Sequence, residues 1–253
     1  MKFDRNISTL TAVFASVTGL FVTHSASAAT LNGGFEDGLN GWTVFGDVST
    51  QTADFGVVPT EGLSQALLTN SASFDGDGLN FSGNNPLEVA VNDGLEIQLG
   101  LTPGSLNPGG SMFGAFEGSA LRQTFTASEG DSLSFDWNFL SDDMRNEDFA
   151  FVLLNGELLT LASLTDAVLP SGTPFATETG FQTFTRSLSA GDYTLSLGIV
   201  DVDDFAGSSG LLIDNVMLRA NNSEPTASVP EYTSAIALLS LGLLLCVGHL
   251  RKA

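Results

Sequence analysis

Leu133-Ser134-Phe135-Asp136-Trp137-Asn138-Phe139 alternates apolar and polar residues without a break. A period of two puts Leu133, Phe135, Trp137 and Phe139 on one side of an extended chain and Ser134, Asp136 and Asn138 on the other. That pattern predicts an antiparallel strand with one buried face and one wet face. Working outward, Phe149 to Leu154 runs into Asn155-Gly156 and then Leu158 to Leu161, and this dipeptide between apolar runs predicts an exposed two-residue hairpin turn. Glu129-Gly130-Asp131 and Ala190-Gly191-Asp192 read as further tight turns. Tyr193, Leu195, Leu197 and Ile199 alternate again, and Leu211 to Leu218 supplies a last strand. No long segment of helical period occurs between Leu31 and Leu218. Strands with one apolar face must cover it with a second sheet, so the expectation is an all-β antiparallel sandwich or barrel. At least eight strands should form two facing sheets, with Phe135, Trp137, Phe139, Leu195 and Leu197 between them.

The two ends of the 253-residue chain differ from this middle. Lys2 and Arg5 precede an apolar run from Leu10 to Val22, and Ala26-Ser27-Ala28 follows with small residues. This order predicts a signal peptide over 1–28, cut after Ala28. Residues 219–228 are polar and rich in Ser, Thr, Asn and Pro, a composition that reads as a disordered linker. Val229-Pro230-Glu231-Tyr232, an apolar run over 233–250 and the basic pair Arg251-Lys252 complete the chain. At ~1.5 Å per residue the run spans roughly 27 Å, enough for a thin hydrocarbon core, and the basic pair would hold the C-terminus in the cytoplasm. The domain organisation expected is therefore signal peptide 1–28, β-rich ectodomain 29–218, linker 219–228 and sorting tail 229–253.

Composition excludes several functions. Cys246, His24 and His249 all lie in the end segments, so the ectodomain has neither cysteine nor histidine and lacks the base or ligand of nucleophilic triads and zinc hydrolases. The formal charge is −21, and only Arg122, Arg145, Arg186 and Arg219 are basic between the ends. Such a surface repels nucleic acid and favours cations, neutral glycans or basic proteins. Glycosidase chemistry needs two facing carboxylates, and no pair among the many acids is singled out by its spacing. No catalytic residue is assigned. Trp42, Trp137 and Tyr193 are the large amphipathic rings of the domain, and their positions favour packing over a sugar platform. The acidic loops Asp75-Gly76-Asp77-Gly78, Asp142-Asp143 with Glu147-Asp148, and Asp201 with Asp203-Asp204 lack the full EF-hand pattern and read as solvated turns.

The three-part tail, with its motif Val229, Pro230 and Glu231, resembles the PEP-CTERM sorting tail of bacteria that carry exosortase. Tyr232 stands where that family's fourth motif residue is proline. The resemblance implies an exported precursor held in the membrane by its C-terminal helix, cut by an exosortase-type enzyme, and passed to the cell surface or exopolysaccharide matrix. A second resemblance lies in the domain. Leu31-Asn32-Gly33-Gly34-Phe35-Glu36 with Gly41-Trp42 looks like the opening strand of galactose-binding-like jelly rolls, which include many carbohydrate-binding modules, and Leu211-Leu212-Ile213-Asp214-Asn215-Val216 resembles their closing strand. The segment from Ser119 to Asp142 resembles ectodomains joined to such tails. A jelly-roll sandwich is implied, with first and last strands adjacent. Glu36 and Asp214 then become candidate ligands of a structural calcium ion, since two carboxylates brought together with no lysine in the domain need a counter-charge. The function expected is noncatalytic adhesion, exopolysaccharide association or glycan binding. The alternatives are a polysaccharide-active enzyme or its accessory module, and a calcium-dependent adhesin.

Overall fold

A computed structural model describes residues 31–72, 79–145, 147–203 and 207–221. The signal segment, the linker beyond Asn221, the sorting tail, Asp75–Gly78 and Asp204 lie outside the described residues. Among the described residues no helix is long and apolar enough to cross a membrane.

The strands in chain order are β1 (Thr43–Phe45), β2 (Asp47–Gln51), β3 (Gln65–Thr69), β4 (Leu87–Glu88), β5 (Ala115–Ala127), β6 (Ser132–Ser141), β7 (Phe149–Leu154), β8 (Glu157–Ser163), β9 (Leu169–Pro170), β10 (Thr177–Glu178), β11 (Gln182–Ser187), β12 (Gly191–Val202) and β13 (Ser209–Arg219). The one α-helix among the described residues, α1, is a single turn over Leu95–Gln98. One sheet runs β1-β5-β12-β7-β8, with β4 also on β5; the other runs β2-β3-β13-β6-β10-β9, with β11 also on β6. Every pairing is antiparallel. The all-β antiparallel sandwich expected from the strand periodicity therefore forms.

Between the sheets lie Phe135 and Phe139 of β6, Leu195, Leu197 and Ile199 of β12, Leu121 and Phe125 of β5, and Leu211 and Ile213 of β13. Four of the five residues expected there are buried. Trp137 is the exception: it packs against this core but stays half-buried. The turn at Asn155-Gly156 is exposed, with φ of 48° and 85°. Positive φ at both central residues is what a type I′ hairpin demands.

Two expectations are corrected. The polar face of β6 is not wet, because Asp136 is 8% exposed and Asn138 1%. Segment 52–64 and the loop 171–176 between β9 and β10 lie across that outer face, where Phe55 and Phe175 cover Leu67, Leu140 and Leu212. A matching layer covers the first sheet, with Val89, Leu95, Leu99 and Leu106 packed on Ala120, Phe151, Leu153 and Val200. These outer layers explain why β7 is apolar at every position and buried throughout. The second correction concerns the opening segment. Residues 31–42 form consecutive turns instead of a strand, with Asn32, Phe35, Gly38 and Gly41 all at positive φ. They still lie against the last strand: β13 breaks register between Asp214 and Met217, Asn215 takes φ 54°, and the freed Val216 N–H donates to Gly33 O at 3.0 Å.

Candidate functional site

The two carboxylates proposed as calcium ligands meet at one loop. Glu36 Oε1 accepts the N–H groups of Leu63 (2.6 Å) and Ser64 (2.7 Å). Asp214 Oδ2 accepts Glu61 N–H (2.8 Å) and the Thr60 hydroxyl (3.1 Å), and its Oδ1 accepts Asn215 N–H (2.7 Å). Loop 60–64 is thus held from both sides, by the opening turns and by β13. Gly62 permits the approach, for it has φ 61° and a Cβ there would sit 2.4 Å from Glu36 Oε1.

A third carboxylate joins from β6. Asp136 Oδ2 accepts the Thr60 hydroxyl (2.8 Å) and Asn215 Nδ2 (2.9 Å), and Oδ1 accepts the Thr183 hydroxyl (2.6 Å). A hydroxyl carries one proton, so Thr60 serves two acids with a single donor. Burial pushes the Asp214 carboxyl above its ordinary value despite its backbone and Thr60 donors. Burial also acts upward on Asp136, but its bonds from Thr183, Asn215 and Thr60 outweigh it and hold that carboxyl below the usual range. Sequence reasoning paired Glu36 with Asp214 and missed Asp136, whose position on a supposedly wet face concealed it. The chemistry of the donors suits a hard cation, yet both Asp214 oxygens are engaged by protein donors, while Glu36 Oε2 is left outside these bonds. Among the described residues no group of three or more His, Cys, Asp or Glu is arranged to hold a metal ion.

Among the described residues of the other acidic segments, Asp203 and Asp148 are structural acceptors and not solvated turn residues. Asp203 accepts the N–H groups of Met112 (2.9 Å), Phe113 (2.7 Å) and Gly114 (3.1 Å), and these bonds lower its pKa. Asp148, fully buried, accepts Asn70 Nδ2 (2.7 Å) and Val202 N–H (3.0 Å), but burial prevails and pushes its carboxyl up to about 7.

The rings named from sequence are committed to packing. Trp42 is buried on Phe35 at 5.6 Å and donates Nε1–H to Asn32 O, while Tyr193 stacks on Phe125 at 5.7 Å. A different ring is free. The Asp203 cap presents Phe113 at 69% exposure on the rim of an open cleft of about 480 Å³, with Val91, Phe116, Glu88 and Glu117 also lining it. Glu88 and Glu117 are register partners between β4 and β5. Cross-strand partners stand side by side, which places both acids on one wall. Sequence reasoning weighed only Trp42, Trp137 and Tyr193 as candidate rings. The signal it passed over is Gly109-Gly110-Ser111-Met112-Phe113-Gly114, an apolar pair enclosed by glycines, where a loop and not a strand is expected.

No protein family matches the chain, and no curated protein matches it in sequence. Solved structures of similar shape include TmCBM61 in complex with β-1,4-galactotriose, at 11% identity and TM-score 0.40, spanning 77% of this chain and 99% of that one. Another is the K3 cleaved adhesin domain of Lys-gingipain from Porphyromonas gingivalis, at 15% identity and TM-score 0.39, spanning 77% and 99%. A third is TmCBM27, a carbohydrate-binding module studied for mannan recognition, at 14% identity and TM-score 0.34, spanning 72% and 90%. The likeness is one of overall shape, which the two sheets establish on their own.

Proposed function

We propose that the chain is an exported, noncatalytic surface or matrix protein whose jelly-roll sandwich lays the Phe113 cleft against a polysaccharide. The observation that carries this reading is the exposed Phe113 ring on a cleft that the exposed Glu88 also lines. A sugar stacks its apolar face on an aromatic ring, and its hydroxyls donate to carboxylates. Acids side by side on one wall do not flank a glycosidic bond from opposite faces, as hydrolysis requires. In this proposal the Val229-Pro230-Glu231 tail delivers the domain through an exosortase-type enzyme to the cell surface or matrix, and a calcium ion held by Glu36 and Asp214 locks loop 60–64 in place. Affinity electrophoresis of the full-length chain in gels containing neutral galactan or mannan tests the binding claim. Retardation lost in Phe113→Ala supports it; equal mobility in every gel overturns it.

A further inference from the structure

A second cleft borders the same strand, β5, and its chemistry is the opposite of the rest of the surface. It encloses about 350 Å³ and is lined by Gly41, Thr43, Arg122, Gln123, Thr124 and Thr194. No carboxylate is among these residues, in a chain with 29 acids against eight basic residues. The strand register explains the set. Thr43 of β1 lies opposite Arg122 of β5, which lies opposite Ser196 of β12; one step along the same face, Thr124 lies opposite Thr194. Arg122 is therefore the single charge in a patch of hydroxyls. The next acid along β12 on that face is Asp192, and its Oδ1 accepts the Thr126 hydroxyl at 2.7 Å.

Arg122 is fixed without an acid. Its guanidinium lies over the Phe45 ring, with Cζ 4.9 Å from the centroid, and Nη1 donates to Gln98 O at 2.6 Å. Among the described residues no carboxylate pairs with it, whereas Arg186 is paired with Glu157 at 2.7 Å. A guanidinium has five N–H donors in a rigid fork that matches a carboxylate, and one of them is used here. Ring and carbonyl hold it in place before any ligand arrives, which lowers the entropy cost of binding.

We propose that this cleft binds the carboxylate of an acidic sugar, a hexuronate unit of a polysaccharide, with Arg122 on the carboxylate and the hydroxyls of Thr43, Thr124 and Thr194 on the ring hydroxyls. The inference rests on the glycan-binding reading and adds the charge of the sugar to it. The strongly negative remainder of the surface repels a uronate, so a cleft that carries a cation and no acid is where such a unit can sit.

The test uses the full-length chain with trigalacturonate, its methyl ester and neutral galactotriose, followed by calorimetry in chelator. Trigalacturonate should bind about tenfold or more tightly than its ester, the scale of one charge-assisted pair. Thr124→Glu, at an exposed position that leaves the core intact, puts an acid beside Arg122 and should abolish that preference. Equal affinity for acid and ester overturns the hexuronate assignment and leaves glycan binding standing. Acid preference that persists in Thr124→Glu places the carboxylate elsewhere and also overturns it. Binding of none of the three overturns both proposals together.

Discussion

The contact between the opening turns and β13 should fail if Gly33 gains a methyl group. A Cβ built on Gly33 would lie 1.9 Å from Val216 O, 2.6 Å from Val216 C and 2.8 Å from Val216 Cα, all backbone atoms with no rotamer to yield. Relief requires the 31–36 segment to leave β13, which breaks the 3.0 Å bond from Val216 N–H to Gly33 O. That loss costs about 1–3 kcal/mol if the buried N–H stays unmet. The displaced segment also carries Phe35, which is fully buried, together with its contact to Trp42. Complete loss of a buried phenylalanine side chain costs about 3–5 kcal/mol, and a shift forfeits part of that. Gly33→Ala should therefore cost about 3 kcal/mol and lower the melting temperature by roughly 6–12 °C in a domain of this size. Gly38→Ala is the control: at φ 59° with open space around it, it costs about 1 kcal/mol. Differential scanning calorimetry reads both. A Gly33→Ala transition no lower than that of Gly38→Ala would refute the packing of the opening turns on β13.

Three other outcomes follow from named residues. Asp148 titrates near 7 when folded against an ordinary 3.8, so the folded state keeps a proton that the unfolded chain has lost between those values. Its contribution is present in full below about pH 4 and lost as pH rises towards 7, by at most about 4 kcal/mol; chemical denaturation across pH should show this slope flattened in Asp148→Asn. Asp214→Ala leaves the Glu61 and Asn215 N–H groups without their acceptor and should lower stability by about 2–4 kcal/mol; a calcium-dependent rise in melting temperature in the parent chain, absent from this variant, would establish the ion, and identical melts in calcium and chelator would exclude it. In a host with exosortase the mature protein should lack the segment from about Thr233 onward, and an intact mass that includes Ala253 would show that the tail is retained.

The inner layer of the sandwich was legible because its residues obey one local rule. Alternation in β6 and β12 reports which side faces the partner sheet, and Asn155-Gly156 carries its turn geometry in two residues. The outer layers were not legible. Whether Asp136 faces water or protein depends on Thr60, Thr183 and Asn215, which donate to it from segments distant in sequence. The opening segment misled for another reason: Leu31-Asn32-Gly33-Gly34-Phe35 resembles the opening strand of a jelly roll, but Asn32 and Phe35 take positive φ and turn the chain. The Glu36 and Asp214 pair was partly legible, since both acids do reach one loop, and their backbone partners at 61 and 63–64 were not. Phe113 was missed because a phenylalanine in a domain with many of them reads as core, and its exposure is created by Asp203, ninety residues later in the chain.

The central claim, polysaccharide contact at the Phe113 cleft, is tested most directly by mapping amide chemical shifts of the full-length chain as galactotriose is titrated in. Shifts confined to the residues around Glu88 to Val91 and Phe113 to Glu117, and abolished in Phe113→Ala, are the predicted result. Saturable shifts centred on the outer face of the second sheet, or none at any concentration, would contradict it.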